Sequence, residues 1–176
     1  MPSMTRRTAL AAFAACALAT AVAFPAGAQP KAGEPLKIGF VYVSPIGDAG
    51  WTFQHDTGRK EMEKALGAKV TSKYIESVPE GADAERVIRE LAQSGHQLIF
   101  TTSFGYMNPT IKVAGTFPKT QFEHATGYKS AKNVGIYNAR FYEGRYLAGI
   151  VAGRMTKSNV AGYVAASRIT DNRHFM

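Results

Sequence analysis

Cysteine is almost absent from this sequence of 176 residues, in which Cys16 is the only one. It lies in an apolar N-terminal segment that we expect to be removed, so the mature chain would contain no thiol. That absence excludes disulfide bonds and cysteine chemistry from the mechanism. One alternative stays open, because residues 13–16 (FAAC) loosely resemble a lipoprotein cleavage box, which would make the protein a membrane-anchored lipoprotein held through Cys16.

Acidic residues are absent from the N-terminal segment, residues 1–28. The basic pair Arg6-Arg7 precedes an uncharged, alanine-rich run over residues 8–28 that ends in small residues. This order is typical of a cleaved signal peptide and less typical of a transmembrane anchor, and it predicts cleavage before Gln29. Residues 29–36 then form a short flexible lead-in. The sequence therefore predicts a periplasmic protein, exported by the general or the twin-arginine route.

Common catalytic motifs are also lacking. The sequence has no G-x-G-x-x-G, P-loop or G-x-S-x-G motif and no histidine pair at metal-binding spacing. Cleavage would remove two of the 21 basic residues and none of the 13 acidic ones, leaving a net charge of +6. Because these basic residues are dispersed, we do not expect a nucleic-acid partner. Nothing in the sequence indicates an enzyme, a metal or another cofactor.

What the sequence does contain is a regular alternation of strand-like and helix-like segments. The predicted strands are residues 38–43, 69–75, 97–102, 121–125, 133–137 and 160–165. The predicted helices are residues 50–66, 82–94, 108–117 and 141–155. This order predicts a doubly wound parallel α/β sheet.

Spacing also predicts how these helices pack. The first should bury one stripe at helical spacing, formed by Trp51, His55, Gly58, Met62 and Ala65. The second should bury Ala84, Val87, Ile88 and Leu91 and end near Gly95. The fourth has small residues four apart that would let it lie close against the sheet, namely Gly144, Ala148 and Ala152.

In an open α/β sheet, ligands bind beyond the carboxyl ends of the strands. Two such ends, residues 44–50 and 102–108, are rich in polar and aromatic side chains, which suit recognition of a flat, hydrogen-bonding small molecule. The candidate ligand-binding residues are Ser44, Asp48, Trp51, Ser103, Phe104, Tyr106 and Asn108. Other roles stay open at this point: Asp48 and Asn108 are also suitable helix caps, and Trp51 could equally be a core residue.

Four stretches of the sequence resemble the basic-membrane-protein (BMP) group of substrate-binding proteins of ABC transporters. They are GDAGWTFQHDTG, LIFTTSFGYMNP, FEHATGY and NARFYEGRYLAGIVAGRMTKSNVAGYV. The last is the most specific, since an E-G-x-Y-L-A-G helix followed by KSNVAGYV is a hallmark of that group. The resemblance covers nearly all of residues 36–164, and characterised members bind purine nucleosides or related compounds.

The resemblance implies a type I periplasmic binding fold, in which two α/β lobes clamp a ligand between them. Residues 37–157 would form the first lobe, and residues 158–176 the hinge and the start of a truncated second lobe, so the chain is expected to be a fragment. Its implied function is the periplasmic solute-binding component of an ABC importer, with a purine base or nucleoside-like heterocycle and a permease as partners. The alternatives are an exported α/β enzyme and a ligand-sensing receptor of the same fold.

The resemblance also implies roles for individual residues. Trp51 takes the place of the aromatic residue that stacks near the purine in the family. Thr52, a further candidate ligand-binding residue, stands where many relatives have asparagine, and Asn108 where many have an aspartate facing the base. The aspartate that holds the ribose in many relatives is missing from Val43-Ser44-Pro45. That difference favours a free purine base or a similar planar heterocycle.

Overall fold

The computed structural model describes residues 33–164. The predicted signal peptide with Cys16 and the predicted crossing at 167–176 lie outside the described residues, as does part of the lead-in at 29–36. Five parallel strands form one sheet in the order β2-β1-β3-β4-β5, which confirms the predicted parallel α/β architecture. The strands are β1 (Leu36–Val41), β2 (Val70–Ile75), β3 (Leu98–Thr101), β4 (Gln121–Ala125) and β5 (Val134–Tyr137).

The register of the strands aligns their carboxyl ends along one edge of the sheet. Val41 at the end of β1 is paired with Ile75 of β2 and with Thr101 of β3. Thr101 is in turn paired with His124 of β4. The direction of strand order reverses between β1 and β3, so the crevice expected for a ligand lies at the ends of these two strands.

Within residues 33–164 four helices accompany the sheet, and two of them cover one face. The helices are α1 (Trp51–Leu66), α2 (Ala82–Gln93), α3 (Met107–Thr116) and α4 (Phe141–Met155). The buried face of α2 contains all four predicted residues and also Ala92. It packs with α3 residues such as Val113 and with Val41, Ile99 and Phe122 of the sheet. Gly95, with a φ of 84°, follows the end of α2 as predicted.

The predicted buried stripe of α1 is wrong except at Met62, which is partly buried against Ile38, Phe40, Tyr42 and Val70. The residues of α1 that are buried are Thr52, Asp56 and Arg59, whereas Trp51 is 37% exposed. This face is polar because the sheet beneath it presents the hydroxyl groups of Tyr42 and Ser72, which bond to Asp56 and Arg59, respectively. The hydrophobic pattern alone therefore assigned the wrong face of α1 to the core.

Helix α4 has the predicted bounds but does not pack as predicted, because its residues from position 142 onward are exposed. Small residues permit close approach to a sheet but bury little apolar area, so they do not by themselves hold a helix there. The exposed large hydrophobic residues of α4 are Tyr142, Tyr146, Leu147, Ile150, Val151 and Met155. The predicted strand at 160–165 is also wrong over its described part, since residues 160–164 are irregular and exposed.

None of the helices within residues 33–164 is sufficiently long and apolar to cross a membrane.

Candidate functional site

Trp51 begins α1 at the edge of the sheet where β1 and β3 end. Its indole Nε1–H donates a hydrogen bond of 2.5 Å to the carbonyl oxygen of Thr102, directly after β3. Thr102 is itself fixed to β1, because its hydroxyl donates to the carbonyl oxygen of Val41 at 2.8 Å. These bonds hold the indole at the strand ends with part of its surface in solvent.

The loop after β1 brings three other candidate residues to the same edge. The hydroxyl groups of Ser44 and Thr52 are 2.7 Å apart, and Thr52 is buried. Asp48 is exposed. The sequence also allowed Asp48 to cap α1, but that role is wrong, because α1 follows Gly50 and no side chain caps its first turn. Gly50 has a φ of 96°, which a residue with a side chain rarely adopts.

The loop after β3 is fixed by the carboxylate of Glu80. The Ser103 hydroxyl donates to Glu80 Oε1 at 2.5 Å, and the backbone N–H of Gly105 donates to the same oxygen at 3.1 Å. Phe104 between them is half-buried, with its ring centroid 6.2 Å from that of Tyr128. The structure therefore places Ser103 and Phe104 in a braced turn beside the strand end.

The other two candidates after β3 lie in different surroundings. Tyr106 is fully buried and its hydroxyl donates to the carbonyl oxygen of Val78 at 2.6 Å, so its ring supports the turn from within the core. Asn108 is exposed and its Oδ1 accepts a hydrogen bond from Lys129 Nζ at 2.9 Å. Its predicted capping role is wrong, because the 3₁₀ turn Phe104–Tyr106 leads directly into α3 at Met107.

A cavity of about 590 Å³ opens beside Trp51. Its lining residues are Gly50, Trp51, Gln54, His55, Ala125, Thr126, Tyr137, Asn138, Ala139 and Phe141. The Trp51 ring centroid lies 4.7 Å from that of His55 and 5.6 Å from that of Phe141. Burial lowers the pKa of His55, which favours the neutral ring at pH 7. The cavity wall is therefore uncharged, and four of its ten lining residues carry aromatic rings.

Of the eight candidate residues, Trp51 alone lines this cavity. Sequence reasoning missed Tyr137 and His55, although both obey rules that it used: Tyr137 ends β5 at the same edge, and His55 lies one helical turn after Trp51. No motif or spacing in the sequence indicated Glu80 as a residue of the site. Its contacts depend on a loop with positive φ at Ser77 and Gly81, which brings it to Ser103.

His124 lies in the core beneath the strand ends and faces away from Glu123, as adjacent strand residues must. The Thr110 hydroxyl donates to Thr101 Oγ1, and Thr101 and His124 Nδ1 are 2.9 Å apart. The Nε2 atom of His124 is buried with no hydrogen-bond partner among the described residues. Burial lowers the pKa of His124 to about 4.

The burial of His124 and its lowered pKa predict that the free energy of unfolding decreases as the pH falls. Between pH 6.5 and 4 the unfolded chain binds a proton at position 124 while the folded chain does not, so stability decreases as the pH falls. The loss should reach roughly 3 kcal/mol for this histidine. Urea unfolding at several pH values would measure it. His124→Gln should flatten the slope in this range; an unchanged slope would contradict the assignment.

Comparisons with known proteins agree on one family. The family described as ABC transporter substrate-binding protein PnrA-like (Bmp) matches residues 36–176. A purine-binding protein of Brucella abortus is 56% identical over 149 residues, which cover 85% of this chain and 43% of that protein. A protein of Haloferax volcanii, provisionally named an ABC transporter glucose-binding protein, is 43% identical over 145 residues, which cover 82% of this chain and 37% of the relative. The chain thus spans less than half the length of these relatives.

Among solved structures, an ABC transporter solute-binding protein from Aeropyrum pernix K1 is similar, with a TM-score of 0.57 and 25% sequence identity. The similarity covers 68% of this chain and 32% of that one. It supports the fold described above and its correspondence to part of a larger solute-binding protein.

Proposed function

The chain belongs to the PnrA-like (Bmp) family of ABC transporter substrate-binding proteins, and on that premise we propose that it binds a purine base or nucleoside-like planar heterocycle for an ABC importer. In this proposal it acts in the periplasm after loss of residues 1–28, and delivers its ligand to a permease. The predicted signal peptide and the family support the location. Residues 33–164 supply one of the two faces that enclose the ligand.

The observation that carries this proposal is the aromatic wall at the strand ends. Trp51 is fixed by its bond to Thr102, and its ring is joined at the cavity by those of His55, Tyr137 and Phe141. Fixed aromatic faces are suited to stacking on a flat heterocycle, and such stacking tolerates different bases. The neutral wall with its four aromatic rings favours a planar aromatic ligand over a charged solute.

The names of the relatives supply the two ligand classes to compare. The Brucella abortus relative is named for purine binding and the Haloferax volcanii relative for glucose binding. The higher identity of the first, 56% against 43%, supports purine as the ligand class for this chain. Glucose is therefore the most informative competitor in a binding experiment.

Isothermal titration calorimetry with adenine, guanosine, glucose and an amino acid tests the proposal. The protein should be titrated as the chain itself and as a chimera that adds the uncovered part of the Brucella abortus relative. We expect saturable binding of the purine compounds and no binding of the amino acid. Tighter binding of glucose than of either purine compound would contradict the proposed ligand class.

Replacing Trp51 with alanine should weaken purine binding by about 1–3 kcal/mol, because one stacking face is lost. Trp51→Phe should retain most of the affinity, since it keeps an aromatic face but loses the bond to Thr102. Tyr146→Ala is a matched control, because Tyr146 is an aromatic residue that is 72% exposed on α4. Calorimetry gives the affinities; an unchanged affinity in Trp51→Ala, with a large loss of stability, would instead show a core role.

A further inference from the structure

We propose that Glu80 recognises the sugar hydroxyl groups of the ligand, so that the site selects a nucleoside over the corresponding free base. This inference rests on the proposed function, since it assumes that a purine stacks at Trp51. It adds a specificity-determining residue that lies outside the stretches singled out from the sequence.

The carboxylate of Glu80 is held in a defined position at the end of β3. Its Oε1 accepts hydrogen bonds from the Ser103 hydroxyl and the Gly105 N–H. It also lies close over Gly105, where an added Cβ would overlap the Glu80 carboxyl group. The absence of a side chain at position 105 therefore makes room for the carboxylate beside the strand end.

The same carboxylate retains unused acceptor capacity. A carboxylate can accept about four hydrogen bonds, and within residues 33–164 Glu80 accepts two, both at Oε1. Glu80 takes part in no ion pair of the described chain, and α2 begins after Gly81 without a side-chain cap. Glu80 is exposed, so its remaining lone pairs are accessible to donors from a bound molecule.

Glu80 and Trp51 are anchored to consecutive residues of the chain. Trp51 is bonded to Thr102, and Glu80 is bonded to Ser103, and the Cα atoms of consecutive residues are about 3.8 Å apart. A ligand that stacks on the indole and also bonds to Glu80 has a flat ring and, beyond the ring, hydroxyl donors. A nucleoside has both parts, whereas a free base engages only the indole.

This assignment also resolves a difficulty raised by the sequence. The segment Val43-Ser44-Pro45 has no carboxylate that could bind a sugar, which favoured a free base. Glu80 brings a carboxylate to the same edge of the sheet from the loop between β2 and α2. Charge-assisted hydrogen bonds from sugar hydroxyls to this group would then provide the preference for a nucleoside.

Two base and nucleoside pairs, adenine with adenosine and guanine with guanosine, test the proposal on the full chain. Ligand-observed NMR titration gives dissociation constants even for weak binding. We expect Glu80→Ala to weaken both nucleosides about 10–100-fold, the range for hydrogen bonds to a charged group, while each base changes less than about twofold. Gly105→Ala should give the same selective loss, because its Cβ displaces the Glu80 carboxylate without removing it.

The outcomes separate this inference from the proposed function. Equal weakening of base and nucleoside would show that Glu80 only braces the turn at Ser103, and would overturn the inference. Weakening of guanine and guanosine together, without an effect on the adenine pair, would place Glu80 at the base edge and also overturn it. If none of the four compounds binds either the wild-type chain or the chimera with the Brucella abortus relative, the proposed function itself fails and the inference fails with it.

Discussion

Replacing Asp56 with alanine is expected to lower the free energy of unfolding by about 3 kcal/mol. Asp56 is 1% exposed, and its carboxylate oxygens lie 2.8 Å from Arg59 Nε and 2.8 Å from Lys60 Nζ. Burial alone would raise the pKa of Asp56, but the hydrogen bonds from Lys60 and Arg59 outweigh it and lower that pKa. Without Asp56, the buried guanidinium of Arg59 keeps Glu63 and Ser72 but loses its shortest ion pair.

Chemical denaturation of wild type and variant at neutral pH measures this loss. Asp83→Ala is the matched control, because Asp83 and its partner Arg86 are both more than half exposed and 3.8 Å apart. An exposed pair of this kind typically contributes about 0–1 kcal/mol. Equal, small effects of the two substitutions would contradict the view that the polar face of α1 holds this helix on the sheet.

The second large effect concerns the second face of the proposed site, which residues 33–164 do not supply. The chimera with the uncovered part of the Brucella abortus relative should bind a purine at least about 100-fold more tightly than this chain alone, a difference of roughly 2.8 kcal/mol. Small ligands usually have most of their surface buried. In the lobe described here, Trp51 offers a single face and Glu80 is exposed, so water competes for the same contacts.

Calorimetry of both proteins, with adenosine as ligand, provides the comparison. A chimera that carries Trp51→Ala controls for binding elsewhere in the added part, and its affinity should fall. If this chain alone binds adenosine as tightly as the chimera, the two-face account of the site is wrong.

The sequence predicted the sheet and the α2 face because those features follow from local patterns. The alternation of strand-like and helix-like segments predicts a parallel sheet. The buried residues of α2 lie at helical spacing in one short segment. The polar buried face of α1 could not be predicted in this way. Its partner Tyr42 directly follows β1 and its partner Ser72 lies on β2, so they come before and after the helix in sequence, and only the fold brings them together.

The candidate site likewise combines features that follow from local sequence patterns with features that depend on contacts distant in sequence. The rule that ligands bind at strand ends predicted the position of Trp51, whose indole bonds to the end of β3. It did not indicate Glu80, because the bond to Ser103 joins residues 23 positions apart through an irregular loop. Short capping motifs also misled at Asn108, since a preceding 3₁₀ turn starts α3 earlier than the sequence pattern suggested.

The most direct test of the central claim uses the indole N–H signal of Trp51, which is unambiguous because the sequence contains a single tryptophan. In a ¹⁵N–¹H correlation spectrum, titration with adenosine should shift this signal in a saturable manner, since the purine ring would stack on the indole. Glucose at the same concentrations should leave it unchanged. A signal that moves with glucose and stays fixed with adenosine would contradict the claim that Trp51 forms a purine-binding face at the strand ends.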